Sequence, residues 1–108
     1  MRLPAFPSLP IRIALALSCA AAAGTAHADL ALAQARNCMA CHAIDHKVVG
    51  PAFKDVAKRY AGQDMAAKLA AKIRSGGAGA WGPVPMPANP QVSEAESRQL
   101  AAWVLGLK

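Results

Sequence analysis

Apolar residues recur at helical spacing along most of the chain after residue 28. Ser93 with Glu96 three residues later forms a capping box, which predicts where the last helix begins. Asp29 can cap a further short helix ahead of the cysteines. Three stripes keep to one helical face: Phe53, Val56, Ala57 and Tyr60; then Met65, Leu69 and Ile73; then Leu100, Trp103 and Leu107. Because no strand-like alternation is present, we predict an all-α fold of about four helices.

The segment over 76–90 differs from the rest of the chain. It holds four glycines and four prolines, which exclude a regular helix or a central strand. A loop of this length in a small domain usually has a functional role. We therefore predict a long Gly/Pro loop ahead of the last helix.

The first 28 residues have the pattern of a secretory signal. Positive charge comes first, an almost wholly apolar run follows over 11–23, and small residues then form a cleavage site ending at Ala28. We predict a cleaved signal peptide over 1–28 and one domain over 29–108. An uncleaved membrane anchor is an alternative, although the run is short for a bilayer span. A lipid-modified Cys19 is another, but it lacks the leucine that such sites have three residues earlier.

The predicted mature domain is small and basic. Residues 29–108 hold ten Lys or Arg against six Asp or Glu, a net charge of +4. So small a domain buries too little apolar surface to be very stable alone, and Cys38 and Cys41 lie too close together to close a useful loop. We therefore expect a cofactor to stabilise it. A soluble surface is the default interpretation of this charge, and steering toward an acidic partner is the functional one. The lack of a basic cluster with interleaved aromatics argues against nucleic acid.

Cys38-Met39-Ala40-Cys41-His42 has the spacing of a c-type haem attachment site. Two thiols on one turn of chain can reach the two vinyl groups of the porphyrin and form thioethers. The His directly after the second thiol can then ligate the iron. We predict one covalently bound haem c per chain, attached through Cys38 and Cys41, with His42 as an axial ligand.

Three other uses of these residues stay open from the spacing alone. A thioredoxin-like redox pair has the same cysteine spacing, but it belongs in a βαβ setting that the pattern does not show. A structural zinc site needs four ligands, and the neighbourhood offers only Cys38, Cys41, His42 and His46. A plain disulfide between the two cysteines is the third.

The second axial ligand is expected from the Gly/Pro loop. Met86 lies in Pro83-Val84-Pro85-Met86-Pro87, where prolines on both sides restrict the backbone around the thioether. A His/Met pair raises the haem potential and favours electron transfer. Met39 lies between the cysteines and Met65 on a helical stripe, so we predict Met86, with core packing of its side chain as the alternative. We interpret His46, in a charged stretch, as a surface histidine.

Residues 29–108 resemble the short bacterial class I cytochromes c of the c-551/c-552 type. The resemblance implies about four helices around one covalently bound haem. It has two departures: the link over 88–91 is one residue longer than usual, and Ala33 stands where the family sometimes has an aromatic residue, whose space Met39 is expected to fill. Besides the attachment motif, the resemblance rests on Val49-Gly50-Pro51-Ala52-Phe53, Trp81-Gly82-Pro83-Val84-Pro85-Met86-Pro87 and Ala102-Trp103-Val104.

The resemblance also implies roles for four residues around the haem. Pro51 matches a residue whose carbonyl accepts a hydrogen bond from the second ring nitrogen of His42, which fixes the tautomer. Trp81 matches a position whose indole N–H reaches a haem propionate, and Lys72 a position, often Arg, that neutralises the same propionate. Asn89 matches the residue that hydrogen-bonds the methionine sulfur. The alternatives are packing for Trp81 and a solvated surface charge for Lys72.

By the same resemblance, the function is one-electron transfer, and the chain is not an enzyme. The implied partners are redox proteins: a reductase or oxidase as acceptor and a quinol-oxidising complex as donor. We expect a periplasmic monomer without stable membrane insertion. A peroxidase or gas sensor is the alternative, but it needs an open haem position, against which Met86 argues. A thiol–disulfide or metal-binding module is another, and it would lack covalent haem.

Overall fold

The computed structural model describes residues 1–5 and 25–108. Most of the predicted signal peptide lies outside these ranges, so that part stays a prediction. Within them, every helix falls short of the length and apolar character that a bilayer span requires. The elements are, in order, α1 (Thr25–Ala35), a 3-10 turn (Cys38–Ala40), α2 (Phe53–Arg59), α3 (Ala66–Ser75), β1 (Gly77–Gly79), β2 (Gly82–Met86) and α4 (Glu94–Leu105).

The last helix begins where the capping box predicts. Ser93 Oγ accepts a hydrogen bond from the Glu96 amide at 3.1 Å, and Glu96 Oε1 accepts one from the Ser93 amide at 3.0 Å. These bonds satisfy amide hydrogens that the start of a helix leaves without partners. The first helix begins earlier than predicted, so Asp29 lies inside α1, and its role as a cap is wrong for the full chain. Its carboxylate instead accepts a hydrogen bond from Gln99 of α4 at 2.7 Å.

The apolar stripes meet in two adjoining clusters. Met39 and Trp103 pack against both clusters and join them. Ala33 is fully buried, and Met39 packs on its cluster, as expected for a residue that fills space beside a small side chain. The buried members of the clusters are Ala33, Val92 and Leu100 in one, and Phe53, Val56 and Val104 in the other. The predicted helices therefore surround one continuous apolar region.

The Gly/Pro segment contains a β-hairpin that the sequence analysis did not predict. β1 and β2 pair antiparallel, with Gly77 opposite Met86 and Gly79 opposite Gly82. Pro83 and Pro85 argue against a strand at the sequence level, because proline has no N–H to donate to a partner strand. In a two-stranded sheet, however, every second residue points its backbone N–H and C=O away from the partner strand. Pro83 and Pro85 are two residues apart and both occupy such positions. The prediction of about four helices is confirmed, and the two-stranded sheet is an additional element.

Candidate functional site

The attachment motif and the hairpin both line a cavity of about 340 Å³. Cys38, Cys41 and His42 contribute to its wall, and so does Met86 from the end of β2. Its remaining lining is largely apolar and includes Phe53, Leu69, Ile73, Leu100, Trp103 and Val104. The fold thus brings the two chain segments with predicted chemistry to a single concave surface.

The two cysteines are free thiols, not joined in a disulfide. The amides of Cys41 and His42 both donate to the Cys38 carbonyl, at 3.2 and 3.0 Å, so a tight turn presents the three side chains together. Burial raises the pKa of the Cys38 thiol. Residues 25–108 do not bring three or more His, Cys, Asp or Glu side chains together as a metal cluster.

His42 is oriented by two contacts. Its Nδ1 lies 2.8 Å from the Pro51 carbonyl oxygen. Because a carbonyl only accepts, Nδ1 carries the proton there, and Nε2 keeps its lone pair for a metal. The Phe53 ring stacks on the imidazole, with ring centroids 4.9 Å apart and planes 21° from parallel. The pairing with Pro51 is the one that the family resemblance implies.

Gly50 also positions His42, which the sequence analysis missed. A Cβ built on Gly50 would lie 2.5 Å from His42 Cε1, closer than carbon atoms can approach. The Gly50 amide donates to the Cys41 carbonyl at 2.7 Å, which holds this backbone against the ring. The available signal was the position of a glycine directly before Pro51 in the second motif.

All four methionines lie in the described part of the chain, and among them Met86 alone lines the cavity. Met39 packs in the core, and Met65 lies at the start of α3. Gly76, at the end of α3, lets the Met86 segment pass: its φ is 70°, and a Cβ there would overlap the Met86 carbonyl oxygen. Sequence analysis included Gly76 only as one of the four glycines of the segment over 76–90. His46 does not line the cavity; it is exposed and bonds Asp45 at 2.9 Å.

The remaining predicted residues divide into two groups. Lys72 and Trp81 line the cavity, and Trp81 is partly exposed. Asn89 does not line it: its Nδ2 donates to the carbonyl oxygens of Ile73, at 2.9 Å, and Pro87, at 3.3 Å. None of the hydrogen bonds of the Asn89 side chain goes to the Met86 sulfur. These bonds tie the chain after the hairpin to the end of α3.

Trp81 is flanked by side chains from the end of α2. The guanidinium carbon of Arg59 lies 3.4 Å from the Trp81 ring centroid. Tyr60 meets the same indole edge-on, with centroids 6.5 Å apart. Sequence analysis missed Arg59, because its contact depends on where the unpredicted hairpin places its turn.

These residues fit a covalently attached haem. Two free thiols, an imidazole whose Nδ1 is hydrogen-bonded to a carbonyl and a thioether share one cavity, and its apolar lining suits a large flat apolar ring. A lysine on the cavity wall suits a group that carries carboxylates.

Comparisons with known proteins agree with this fit. The family described as Cytochrome c matches residues 30–108. The chain is 54% identical to cytochrome c-552 of Nitrosomonas europaea over 87 residues, which cover 80% of this chain and 84% of that protein. It is 59% identical to cytochrome c-551 of Azotobacter vinelandii over 75 residues, covering 68% and 90%. The crystal structure of wild-type Nitrosomonas europaea cytochrome c552 superposes with a TM-score of 0.70 at 52% identity, over 73% of this chain and 99% of that one.

The match extends through nearly all of the described helical part, and the relatives are electron-transfer proteins, not enzymes. The chain therefore belongs to the cytochrome c family, as a small bacterial class I member that carries one covalently attached haem c and serves as an electron carrier for redox partner proteins.

Proposed function

We propose that this chain is a periplasmic one-electron carrier whose haem iron is ligated by His42 and Met86 and whose haem is attached through Cys38 and Cys41. The main support is the cavity that these four residues line together. When bound, the haem supplies a one-electron couple, and the chain supplies ligands, insulation and a docking surface.

The side chains around the cavity have distinct roles in this proposal. Pro51 holds His42 in the tautomer that leaves Nε2 free for iron. The apolar lining would keep water away from the haem and disfavour the oxidised haem, which carries more charge than the reduced one. The reduction potential of the haem would therefore rise. Lys72 and Trp81, on the cavity wall, would neutralise and hydrogen-bond the haem carboxylates. Asn89 would act on Met86 indirectly, through the position of the loop.

The rim of the cavity offers a docking surface for redox partners. Val49 and Val84 line the cavity and are more than half exposed. Lys47 also lines the cavity and adds positive charge. A small apolar patch among basic residues suits a brief encounter with an acidic surface, in which charge acts more on rate than on affinity. We propose a reductase or oxidase as the acceptor, a quinol-oxidising complex as the donor, and a monomeric carrier between them.

Absorption spectroscopy of the ferric holoprotein tests the ligand pair. A thioether bound to ferric haem gives a weak sulfur-to-iron band in the near infrared. We expect this band in the wild type, its loss together with a lower potential in Met86→Ala, and its retention in the controls Met65→Ala and His46→Ala. A band that survives Met86→Ala but disappears in either control would contradict the assignment.

Mass spectrometry tests the attachment and the location. Protein from the periplasmic fraction should begin at Asp29 and have the mass of residues 29–108 plus one haem, retained after acidic acetone extraction. Complete loss of the haem to acetone would overturn covalent attachment. A mature protein that still contains residues 1–28 would overturn the predicted cleavage.

A further inference from the structure

The hairpin that carries Met86 is attached to the helices at its base. Asn89 Nδ2 donates to the Ile73 carbonyl at 2.9 Å, and the Asn89 amide donates to the Arg74 carbonyl at 3.0 Å. These bonds fix the chain just after Met86 to the end of α3. They leave the other end of β2, where the hairpin turns, to be held by different contacts.

One side chain makes two contacts with that turn. Ala80 and Trp81 connect β1 to β2. Arg59 Nη1 donates to the Ala80 carbonyl, and the Arg59 guanidinium lies over the Trp81 ring at 3.4 Å from its centroid. A single residue at the end of α2 therefore holds the turn through its backbone and through its ring.

The turn has little intrinsic preference for its conformation. Two-residue hairpin turns are favoured when glycine or asparagine at the centre adopts positive φ. Here the positive φ angles belong to the flanking Gly79, at 100°, and Gly82, at 112°. The ladder is also irregular between Gly77 and Gly79. A turn between two flexible glycines depends on outside contacts for its position.

We propose that Arg59 is a positioning residue that clamps the hairpin turn and so keeps Met86 in the cavity; this rests on the proposed ligation of the iron by Met86. Met86 and the turn are the two ends of β2. Pro83 and Pro85 stiffen the strand between them, so displacement of the turn is transmitted to Met86 instead of being absorbed. The segments that would ligate the iron are then held at three places. These are the Cys38–His42 motif, the base of the hairpin at Asn89, and the hairpin turn at Arg59 of α2.

The contact geometry explains why arginine suits this position. A planar guanidinium can stack on an indole and donate a hydrogen bond in its own plane at the same time. The ammonium of a lysine is a compact charge that serves one of these contacts well, but not both. Arg59→Lys should therefore keep the charge and lose part of the clamp.

Replacement of the methionine by imidazole in the ferric holoprotein measures the clamp directly. Imidazole occupies the iron only after Met86 has left, so the rate of the spectral change reports how often the hairpin opens. We expect Arg59→Met to speed this replacement roughly tenfold, because it removes a charged hydrogen bond and a cation–π contact. Arg59→Lys should lie between Arg59→Met and the wild type.

Lys58→Met is the matched control. Lys58 is an exposed neighbour in the last turn of α2, and its substitution removes one positive charge without a hairpin contact. We expect its rate to stay within about twofold of the wild type, since exposed charges contribute little. Equal rates for Arg59→Met and Lys58→Met would overturn the clamp.

If Met86 does not ligate the iron, the experiment gives a different result. In that case the wild type would lack the near-infrared band and would bind imidazole as fast as Met86→Ala. If Arg59→Met takes up no haem, Arg59→Lys decides the question. Faster imidazole replacement than in the wild type supports the clamp, and an equal rate contradicts it.

Discussion

Gly50 lies so close to the His42 imidazole that a methyl group on its Cα would be 2.5 Å from Cε1 and 2.9 Å from both ring nitrogens. The conformation of Gly50 does not require glycine, because its φ lies outside the positive range. The close approach to the ring is what requires it.

Gly50→Ala should therefore displace the His42 imidazole from its hydrogen bond with Pro51 and its stacking contact with Phe53. We expect a loss of about 1–3 kcal/mol in the free energy of unfolding of the holoprotein, typical of overpacking, and a changed ferric spectrum. Gly106→Ala is the control, since its Cβ would meet nothing closer than 3.4 Å and its φ is −85°. Equal stability and spectra for the two variants would show that the ring can move without cost.

Gly76→Ala tests whether the backbone after Met86 needs a glycine beside it in order to pack against the end of α3. Its backbone, at φ 70° and ψ −165°, is one that glycine alone adopts readily, and its Cβ would lie 2.7 Å from the Ala88 amide nitrogen. We expect weakening of the near-infrared band and a loss of about 3 kcal/mol or more in stability, the sum of strain and overlap.

Gly62→Ala separates the two causes in that prediction. Gly62 has φ 75° but no atom within 4 Å of a built Cβ, so its substitution introduces strain without overlap. It should cost about 1–2 kcal/mol and leave the near-infrared band intact. If Gly62→Ala weakened the band as much as Gly76→Ala, the effect would not come from contact with the Met86 segment.

Glu96 should make the stability of the fold depend on acid pH. The hydrogen bond from Arg36, with another from the Ser93 amide, lowers the pKa of Glu96 from 4.5 to about 2. A carboxyl group whose pKa is lower in the folded state stabilises the fold above its unfolded-state pKa, and this contribution disappears as the pH falls to the folded-state value. We expect the wild type to lose it between about pH 4.5 and pH 2.

Urea unfolding at several pH values checks this expectation. Glu96→Gln should be less stable than the wild type at pH 7, and the difference should shrink across that acid range. Glu94→Gln is the control, because Glu94 pairs only with exposed Arg98 at 2.5 Å, in an i,i+4 arrangement worth little. Parallel acid profiles for the wild type and Glu96→Gln would contradict the assignment.

The chain should not fold without its haem. Without haem the apolar lining of the cavity of about 340 Å³ would face water, and the hydrophobic stabilisation from burying that lining would be lost. A domain of this size has little stability to spare, because its net stability is only a small difference between large opposing terms. Cys38→Ala combined with Cys41→Ala should therefore lose most of its helix signal in far-UV circular dichroism. A cooperative, native-like thermal transition in this variant would show that the helices pack without the cofactor.

Positive charge should steer small anionic oxidants to the protein. With +4 on residues 29–108, the rate of oxidation by hexacyanoferrate(III) should fall several-fold as ionic strength rises through the physiological range. A cationic cobalt(III) complex is the control, and its rate should rise or stay constant. Rates independent of salt for both oxidants would mean that the charge serves solubility alone.

The helices were predictable because their signals are local. Phe53 and Val56 recur at helical spacing and are buried, and the Ser93–Glu96 capping box forms as expected. The choice of Met86 among four methionines followed from its prolines, and the structure places it in the cavity.

The missed features depend on contacts between distant segments. The hairpin forms in spite of its prolines, because a two-stranded sheet leaves one side of each strand without partners. The closeness of Gly50 to His42, and of Gly76 to Met86, depends on how separate loops cross in space. From the sequence, Arg59 is predicted to be a surface charge at the end of an amphipathic helix. Its contact with Trp81 depends on the hairpin, which the sequence did not predict.

The pairing of the first helix with the last sets the order in which the chain can mature. The bond between Asp29 and Gln99 spans 70 positions, and that between Arg36 and Glu96 spans 60. Contacts this distant along the chain form slowly, so α1 has no α4 to pack against early in folding. Ala33 and Met39 therefore have no Leu100 to pack on during that time. Until α4 packs against α1, it does not cover the segment that carries Cys38 and Cys41, so a haem group can reach both thiols before the helices close.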